Sequence, residues 1–344
     1  MRFGIIGSGS WGTALAKMLA DNKHPFLWWI RKKETIKQFK ERNHNPDYLQ
    51  AASLNLTGIT LTTRLDEVIK NSDAIIIAIP SAFAVEVLAQ LDSDALKGKK
   101  IISAIKGILP NENILLNEHL KNKFDLPLEN YFAVMGPCHA EEVAAERLSY
   151  LTFAGMDKAE TTNISAHFKT WYTNIIVSQD IFGVQNAAVL KNIYALGAGI
   201  AHGLGYGDNF LSVFIANAAD EMAGFLRKAG ILNAEVGYIE QDKTQKKHHQ
   251  NYAASVYLGD LLVTCYSLHS RNRAFGNMIG KGYSVQAAQL EMSMVAEGYN
   301  ASKCMYINNQ SVQAKMPIAE TVYNILWNKA SPKEAMQLLE KQLV

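Results

Sequence analysis

The chain opens with four apolar or small residues, Phe3 to Ile6. Gly7, Gly9 and Gly12 follow in the spacing G-x-G-x-x-G, and then a helical pattern in which Leu15, Met18 and Leu19 are apolar. Few features restrict a fold as tightly. A strand that feeds a glycine turn and then a helix is the start of a βαβ unit. There the first glycine permits a tight turn, the second lets the backbone approach a pyrophosphate, and the third lets helix and strand pack closely. The helix N-terminus then offers its N–H groups and the positive end of its dipole to an anion. A strand, turn and helix without a ligand would show the same glycines, so the remainder of the chain has to discriminate.

The first half continues the alternation. Apolar runs at Phe26–Trp29, Ala74–Ile79, Lys100–Ile105, Tyr131–Val134, Tyr150–Phe153 and Ile175–Val177 read as further strands, with helical patterns such as Ala14–Asp21 and Ala82–Leu91 between them. A run such as AIIIAI is apolar on both faces, as in a parallel sheet covered by helices. Strand–helix alternation of this kind gives right-handed crossovers. From about Gln185 the strand-like runs stop and helical periodicity takes over, for example in NAAVLKNIYALGAGIA and PKEAMQLLEKQL. The expected fold is α/β: an N-terminal Rossmann-like doubly wound parallel sheet, the dinucleotide-binding domain, over residues 1–185. An all-helical substrate and catalytic domain follows over residues 186–344.

Composition removes several function classes. The 34 Lys plus Arg nearly balance the 32 Asp plus Glu, which argues against a nucleic-acid partner. The one basic cluster, Lys243 to His249, sits in a polar stretch and reads as a solvated loop. Cys138, Cys265 and Cys304 are widely spaced, with no C-x-x-C pair, as in a protein of a reducing compartment. The opening apolar run is broken by glycines and carries no cleavage-site pattern, so no signal peptide is expected. No window is apolar for long enough to predict a membrane span. No His, Cys or carboxylate cluster has metal-ligand spacing, so no metal is expected.

Ligands of such sheets bind beyond the carboxyl ends of the strands. The segments there are distinctive: IAIPSAF with Phe83, SAIKGI with Lys106, and VMGPCHAEEV with Gly136 and Cys138. The residue that would meet the adenosine ribose is Arg31, followed by Lys32 and Lys33. A guanidinium suits a 2′-phosphate or stacks on adenine, although an ordinary solvated basic turn looks the same. Lys191 is the only Lys, Arg, Asp or Glu between Asp180 and Asp208. In an apolar setting it is a candidate proton carrier; on the wet face of an amphipathic helix it would be a covering side chain. GDLLVTC puts Asp260 and Thr264 four apart on one helix face, and SRNRAFG gathers Ser270, Arg271 and Asn272 as a candidate phosphate or carboxylate site.

In order, GSGSWGTALA, IPSAF, SAIKGI, GPCHAEEVA, LKNIYALGAGIAHGLGYGDN, LGDLLVTC, SRNRAFG and VAEGY resemble the motifs of NAD(P)-dependent sn-glycerol-3-phosphate dehydrogenases, from residue 3 to about 327. The resemblance implies a cytoplasmic homodimer that uses NAD or NADP to interconvert dihydroxyacetone phosphate, a phosphorylated triose, and sn-glycerol 3-phosphate for glycerophospholipid synthesis. Carried over by motif, Lys191 is the proton-transferring lysine, with Lys106, Asn192, Asp260 and Thr264 around the reacting carbonyl. Gly136 and Cys138 match the substrate loop, and Ser270, Arg271 and Asn272 the phosphate block. Gly7, Gly9, Ser10, Trp11, Gly12, Arg31, Phe83, Lys106, Ala140, Arg271, Val295 and Glu297 match cofactor positions. The chain departs from the family in GPCHA for GPSFA, in IANA for ITRG, and in the polar QDKTQKKHHQN connection. Two other functions fit the same plan: a related hydroxyacid or sugar-acid dehydrogenase, with a carboxylate at Arg271, and a dinucleotide-binding sensor without turnover.

Overall fold

The computed structural model describes residues 1–231, 254–292 and 296–344, residues 254 and 255 by their backbone alone. The basic cluster Lys243 to His249 and the candidate cofactor residue Val295 lie outside the described residues. The described chain forms two compact units: Met1–Ile105 with Ile114–Ile181, and Lys106–Asn113 with Phe182–Val344.

The first unit is built on an eight-stranded sheet in the order β3-β2-β1-β4-β5-β6-β7-β8. The strands are β1 (Phe3–Ile6), β2 (Phe26–Trp29), β3 (Ile59–Thr62), β4 (Ala74–Ile77), β5 (Lys100–Ser103), β6 (Tyr131–Met135), β7 (Ser149–Gly155) and β8 (Thr173–Ser178). β1 pairs in parallel with β2 and with β4, Phe3 lying opposite Phe26 on one side and Ala74 on the other. The strand order therefore reverses between β1 and β4, the place where doubly wound sheets open a ligand crevice. Every residue of β1, β2 and β4 is buried. Ile75, Ile76 and Ile77 are each 0% exposed, and each such burial stabilises the fold by about 1.5–3 kcal/mol.

Two features correct the sequence expectation. The sheet is not wholly parallel, because β6 and β7 pair antiparallel, with Phe132 opposite Gly155. β3 is a strand that the sequence pattern does not predict. Its sequence ITLT is only partly buried, as befits a sheet edge, so it lacks the continuous apolar run that marks β1 and β4.

The second unit is helical among the described residues. Its longest element is the helix Ile181–Gly203, which carries Lys191 and Asn192. Helix Arg271–Gly280 lies against it at backbone contact. A Cβ on Gly199 would stand 2.1 Å from Arg273 O, and one on Gly276 would stand 2.0 Å from Leu196 O. Gly203 and Gly280 repeat the arrangement one turn on, with Cβ approaches of 2.4 Å to Asn277 O and 2.3 Å to Ile200 O. Two small-x-x-x-small faces thus meet. The long helix is otherwise buried around much of its girth, which is why its charge pattern stood out.

Candidate functional site

In the first unit, the turn after β1 leads directly into helix Ser10–Asp21, for which Gly9 is the N-cap residue. Gly7 has φ of 112°, and a Cβ there would lie 2.4 Å from Ala78 O. A Cβ on Gly12 would lie 2.4 Å from Gly7 O. These two glycines are demanded by the protein's own packing. Gly9 is different: a Cβ on it would meet nothing within 4 Å. The space beside Gly9 is open, which is what a pyrophosphate at a helix N-terminus needs, so the loop fits a dinucleotide.

The loop is held from behind. The Trp28 indole N–H donates to Gly7 O at 2.8 Å, and Trp28 is wholly buried. Asn45, also 0% exposed, donates from Nδ2 to Ser8 O at 2.9 Å and to Thr13 Oγ1 at 2.7 Å. Its Oδ1 accepts from the backbone N–H groups of Asp47 and Tyr48 at 3.0 and 3.2 Å. Asn45 is a functional candidate that the sequence alone does not mark. The only available signal was an Asn-Pro pair in a polar connection, and its partners lie 32 and 37 residues away.

The other first-unit candidates take these places. Ser10 is buried and Trp11 packs, partly buried, against the sheet core. Arg31, Lys32 and Lys33 are all exposed just beyond β2. Phe83 is 46% exposed in the first turn of helix Ser81–Leu88, which starts after β4. Gly136 follows β6 with φ of 122°, where a Cβ would come within 2.6 Å of Tyr150 O. Cys138 is buried and donates from Sγ to Gly136 O at 3.1 Å, so the thiol takes part in shaping its own loop. Ala140 is buried at the start of helix Ala140–Ala144.

In the second unit, Lys191 and Asp260 form an ion pair with Lys191 3% and Asp260 1% exposed. Taking both charges out of water is costly, and removing either partner strands the other, typically at about 3–5 kcal/mol. Asp260 Oδ1 makes the ion pair, while Oδ2 is buried without a hydrogen-bond partner among the described residues. Thr264 Oγ1 donates to Asp260 O at 2.5 Å and lies 3.4 Å from Oδ1, as the four-residue spacing expects. The neighbouring Cys265 is no nucleophile. Burial pushes its thiol up to about 12, with Asp260 adding to the rise and Lys191 and Arg273 pulling the other way.

Beside the pair runs a directional chain of amides. Gly298 N–H donates to Asn272 Oδ1 at 2.9 Å, Asn272 Nδ2 to Asn192 Oδ1 at 2.9 Å, and Asn192 Nδ2 to Lys106 O at 2.8 Å. The Gly298 N–H can only donate, so it fixes which end of each amide faces which neighbour. Four separate sequence blocks are thereby brought together. Asn192 and Asn272 each spend polar atoms on this chain, and Ser270 Oγ caps helix Arg271–Gly280 by accepting from Arg273 N at 3.3 Å. Lys106 is half-buried and Arg271 is exposed. Glu297, half-buried, opens helix Glu297–Val312.

The position where the resembled family has arginine is Asn217. Its Nδ2 donates to Val344 O at 2.8 Å and its Oδ1 accepts from Val344 N at 3.3 Å, so here the side chain ties down the chain end. Among the described residues no group of His, Cys, Asp and Glu is arranged to hold a metal, and no helix is long and apolar enough to cross a membrane.

Comparison with known proteins agrees along the chain. The glycerol-3-phosphate dehydrogenase (NAD(P)+) of Bacillus velezensis is 34% identical over 338 residues, covering 97% of this chain and 92% of that protein. That of Enterococcus faecalis is 34% identical over 333 residues, covering 96% and 93%. The crystal structure of glycerol-3-phosphate dehydrogenase from Coxiella burnetii superposes with a TM-score of 0.84 at 25% identity, covering 98% of each chain. The family models for the N-terminus and the C-terminus of NAD-dependent glycerol-3-phosphate dehydrogenase match residues 2–161 and 180–337. With the glycine loop and the helical unit both matched, the chain belongs to the NAD-dependent glycerol-3-phosphate dehydrogenase family.

Proposed function

We propose that this chain catalyses the reversible reduction of dihydroxyacetone phosphate to sn-glycerol 3-phosphate with NADH or NADPH, Lys191 acting as the proton donor and acceptor. Family membership supports the reaction, and the observation that carries the mechanism is the buried Lys191–Asp260 pair. The glycine loop, with Ser10, Trp11, Arg31, Phe83 and Ala140, would hold the dinucleotide, which supplies the hydride when bound. Residues 1–185 would serve the cofactor and residues 186–344, together with Lys106, the substrate.

The chain's own residues do the rest. Asp260 keeps Lys191 in its ammonium form and aims it, since a carboxylate neighbour favours the charged lysine. Lys191 Nζ hydrogen-bonds the C2 carbonyl oxygen of the substrate and gives it a proton as the alcohol forms; the reverse reaction returns it. Lys106, tied through its carbonyl to Asn192, adds a second positive charge near the developing oxyanion. Arg271 anchors the phosphate, for which a guanidinium is well shaped, so that binding energy far from C2 orients the reacting carbon. The resemblance to the family further supports a cytoplasmic homodimer feeding glycerophospholipid synthesis.

Arg271→Ala tests the substrate assignment. It should raise KM for dihydroxyacetone phosphate by about a hundredfold or more, because a charge-assisted phosphate contact is lost. An unchanged KM would remove Arg271 from the phosphate site.

A further inference from the structure

All three consecutive carbonyls of the glycine turn are occupied by donors from the protein side. Gly7 O takes the Trp28 indole N–H at 2.8 Å, Ser8 O takes the Asn45 amide at 2.9 Å, and Gly9 O takes the Thr13 N–H at 2.9 Å. The first and third belong to strand packing and to the helix itself. The middle one depends on a single side chain from the connection between helix Lys33–Arg42 and β3. In a planar trans peptide the carbonyl and the following N–H point in opposite directions. Holding Ser8 O on the Asn45 amide therefore aims the Gly9 N–H away from Asn45, and Gly9 is the residue beside which a Cβ would meet open space. Released, the Ser8 carbonyl could turn its negative end toward a bound anion.

Asn45 is built for this one orientation. Both of its Nδ2 hydrogens and both Oδ1 lone pairs are used, by Ser8 O, Thr13 Oγ1, Asp47 N and Tyr48 N. The two backbone N–H donors hold Oδ1, so the amide cannot flip. We infer that Asn45 is a positioning residue for the cofactor: it locks the Ser8–Gly9 peptide with its N–H facing the pyrophosphate and so sets dinucleotide affinity without touching the dinucleotide. This rests on the cofactor reading of the loop given above.

The test is direct titration of the full-length protein with NADH and NADPH, followed by intrinsic fluorescence, alongside steady-state kinetics and thermal melting. Asn45→Asp keeps the shape and the two acceptor bonds but sets a negative oxygen against Ser8 O. It should weaken NADH binding about tenfold to a hundredfold. KM for NADH should rise by the same factor, with kcat at saturating NADH and KM for dihydroxyacetone phosphate within about twofold of wild type. Thr13→Val removes the other partner of the amide and should weaken NADH binding in the same sense, whereas Thr13→Ser retains the hydroxyl and should bind as wild type does.

Asn309→Ala is the stability control. That buried asparagine bonds the Ala314 N–H and carbonyl, each at 2.9 Å, so the variant should lower the melting temperature and leave cofactor affinity unchanged. Wild-type affinity in both Asn45→Asp and Thr13→Val overturns the inference, as does a loss confined to kcat. If Asn45→Asp does not fold, Thr13→Val alone decides. A wild-type protein that binds neither NADH nor NADPH overturns the cofactor reading itself, which is a different failure.

Discussion

At the scale of single residues, the mechanism places its whole weight on a lysine and an aspartate that water hardly reaches. Lys191→Ala should lower kcat by about 10²–10⁴-fold, the usual worth of a positioned proton donor. It should also lower the melting temperature, since Asp260 would be left buried and unpaired. Asp260→Asn should depress kcat as well, because Lys191 loses the buried carboxylate it is paired with. Steady-state assays with thermal melts separate the two effects, and a Lys191→Ala enzyme with wild-type kcat would contradict the assignment. Lys191 was conspicuous in the sequence because the apolar stretch around it contains no other ionised group. Asn45 was not. Its bonds to Ser8 O and Thr13 Oγ1 are closed by tertiary folding, and its local ones, from Asp47 N and Tyr48 N, are those of any asparagine turn.

At the scale of secondary-structure elements, two contacts in the second unit make specific stability predictions. One is the glycine crossing of helices Ile181–Gly203 and Arg271–Gly280. Gly276→Ala would drive a Cβ to 2.0 Å from Leu196 O, backbone that cannot yield locally. The expected cost is about 1–3 kcal/mol or more, read as a lower midpoint in denaturant unfolding. The other is Glu221, on helix Asp208–Lys228, which caps helix Pro317–Trp327 by accepting from Ile318 N at 2.8 Å and Ala319 N at 3.0 Å. Burial raises its carboxyl from 4.5 to about 7, against the lowering effect of those two N–H donors. A raised carboxyl holds its proton more tightly in the fold than in the unfolded chain. Its contribution is therefore fully present below about pH 4.5 and is lost as pH rises through about 7, by about 3 kcal/mol in all. Glu221→Gln should flatten this part of the stability profile between pH 5 and 8; an unchanged slope would exclude Glu221 as its source.

The elements themselves were unevenly legible. β1 and β4 announced themselves as short runs buried on both faces, whereas β3 alternates isoleucine, threonine and leucine at an exposed edge. The antiparallel pairing of β6 with β7 depends on how the chain returns across the sheet, which periodicity does not encode. The glycine crossing was hidden for a related reason. Gly199, Gly203, Gly276 and Gly280 have meaning only once two helices distant in sequence are laid together.

At the scale of the whole molecule, the chain joins a dinucleotide-type sheet to a helical unit that carries the lysine–aspartate pair, in a family shown by matches along both. Arg31, Lys32 and Lys33 are exposed beyond β2, where the proposed cofactor site would meet the adenosine ribose. Arg31→Asp should shift the ratio of kcat/KM for NADPH over NADH downward by about tenfold or more, since a carboxylate accepts from a 2′-hydroxyl and repels a 2′-phosphate. An unaltered ratio would reduce Arg31 to a solvated turn residue.

The proposed reaction is tested most simply by the rate at which the purified protein oxidises NADH, and separately NADPH, when offered dihydroxyacetone phosphate or a small 2-oxo acid. Oxidation should depend on dihydroxyacetone phosphate, with little or none supported by the carboxylates. Turnover of a 2-oxo acid without turnover of the phosphorylated triose would contradict it, as would binding of the dinucleotides with no turnover of either.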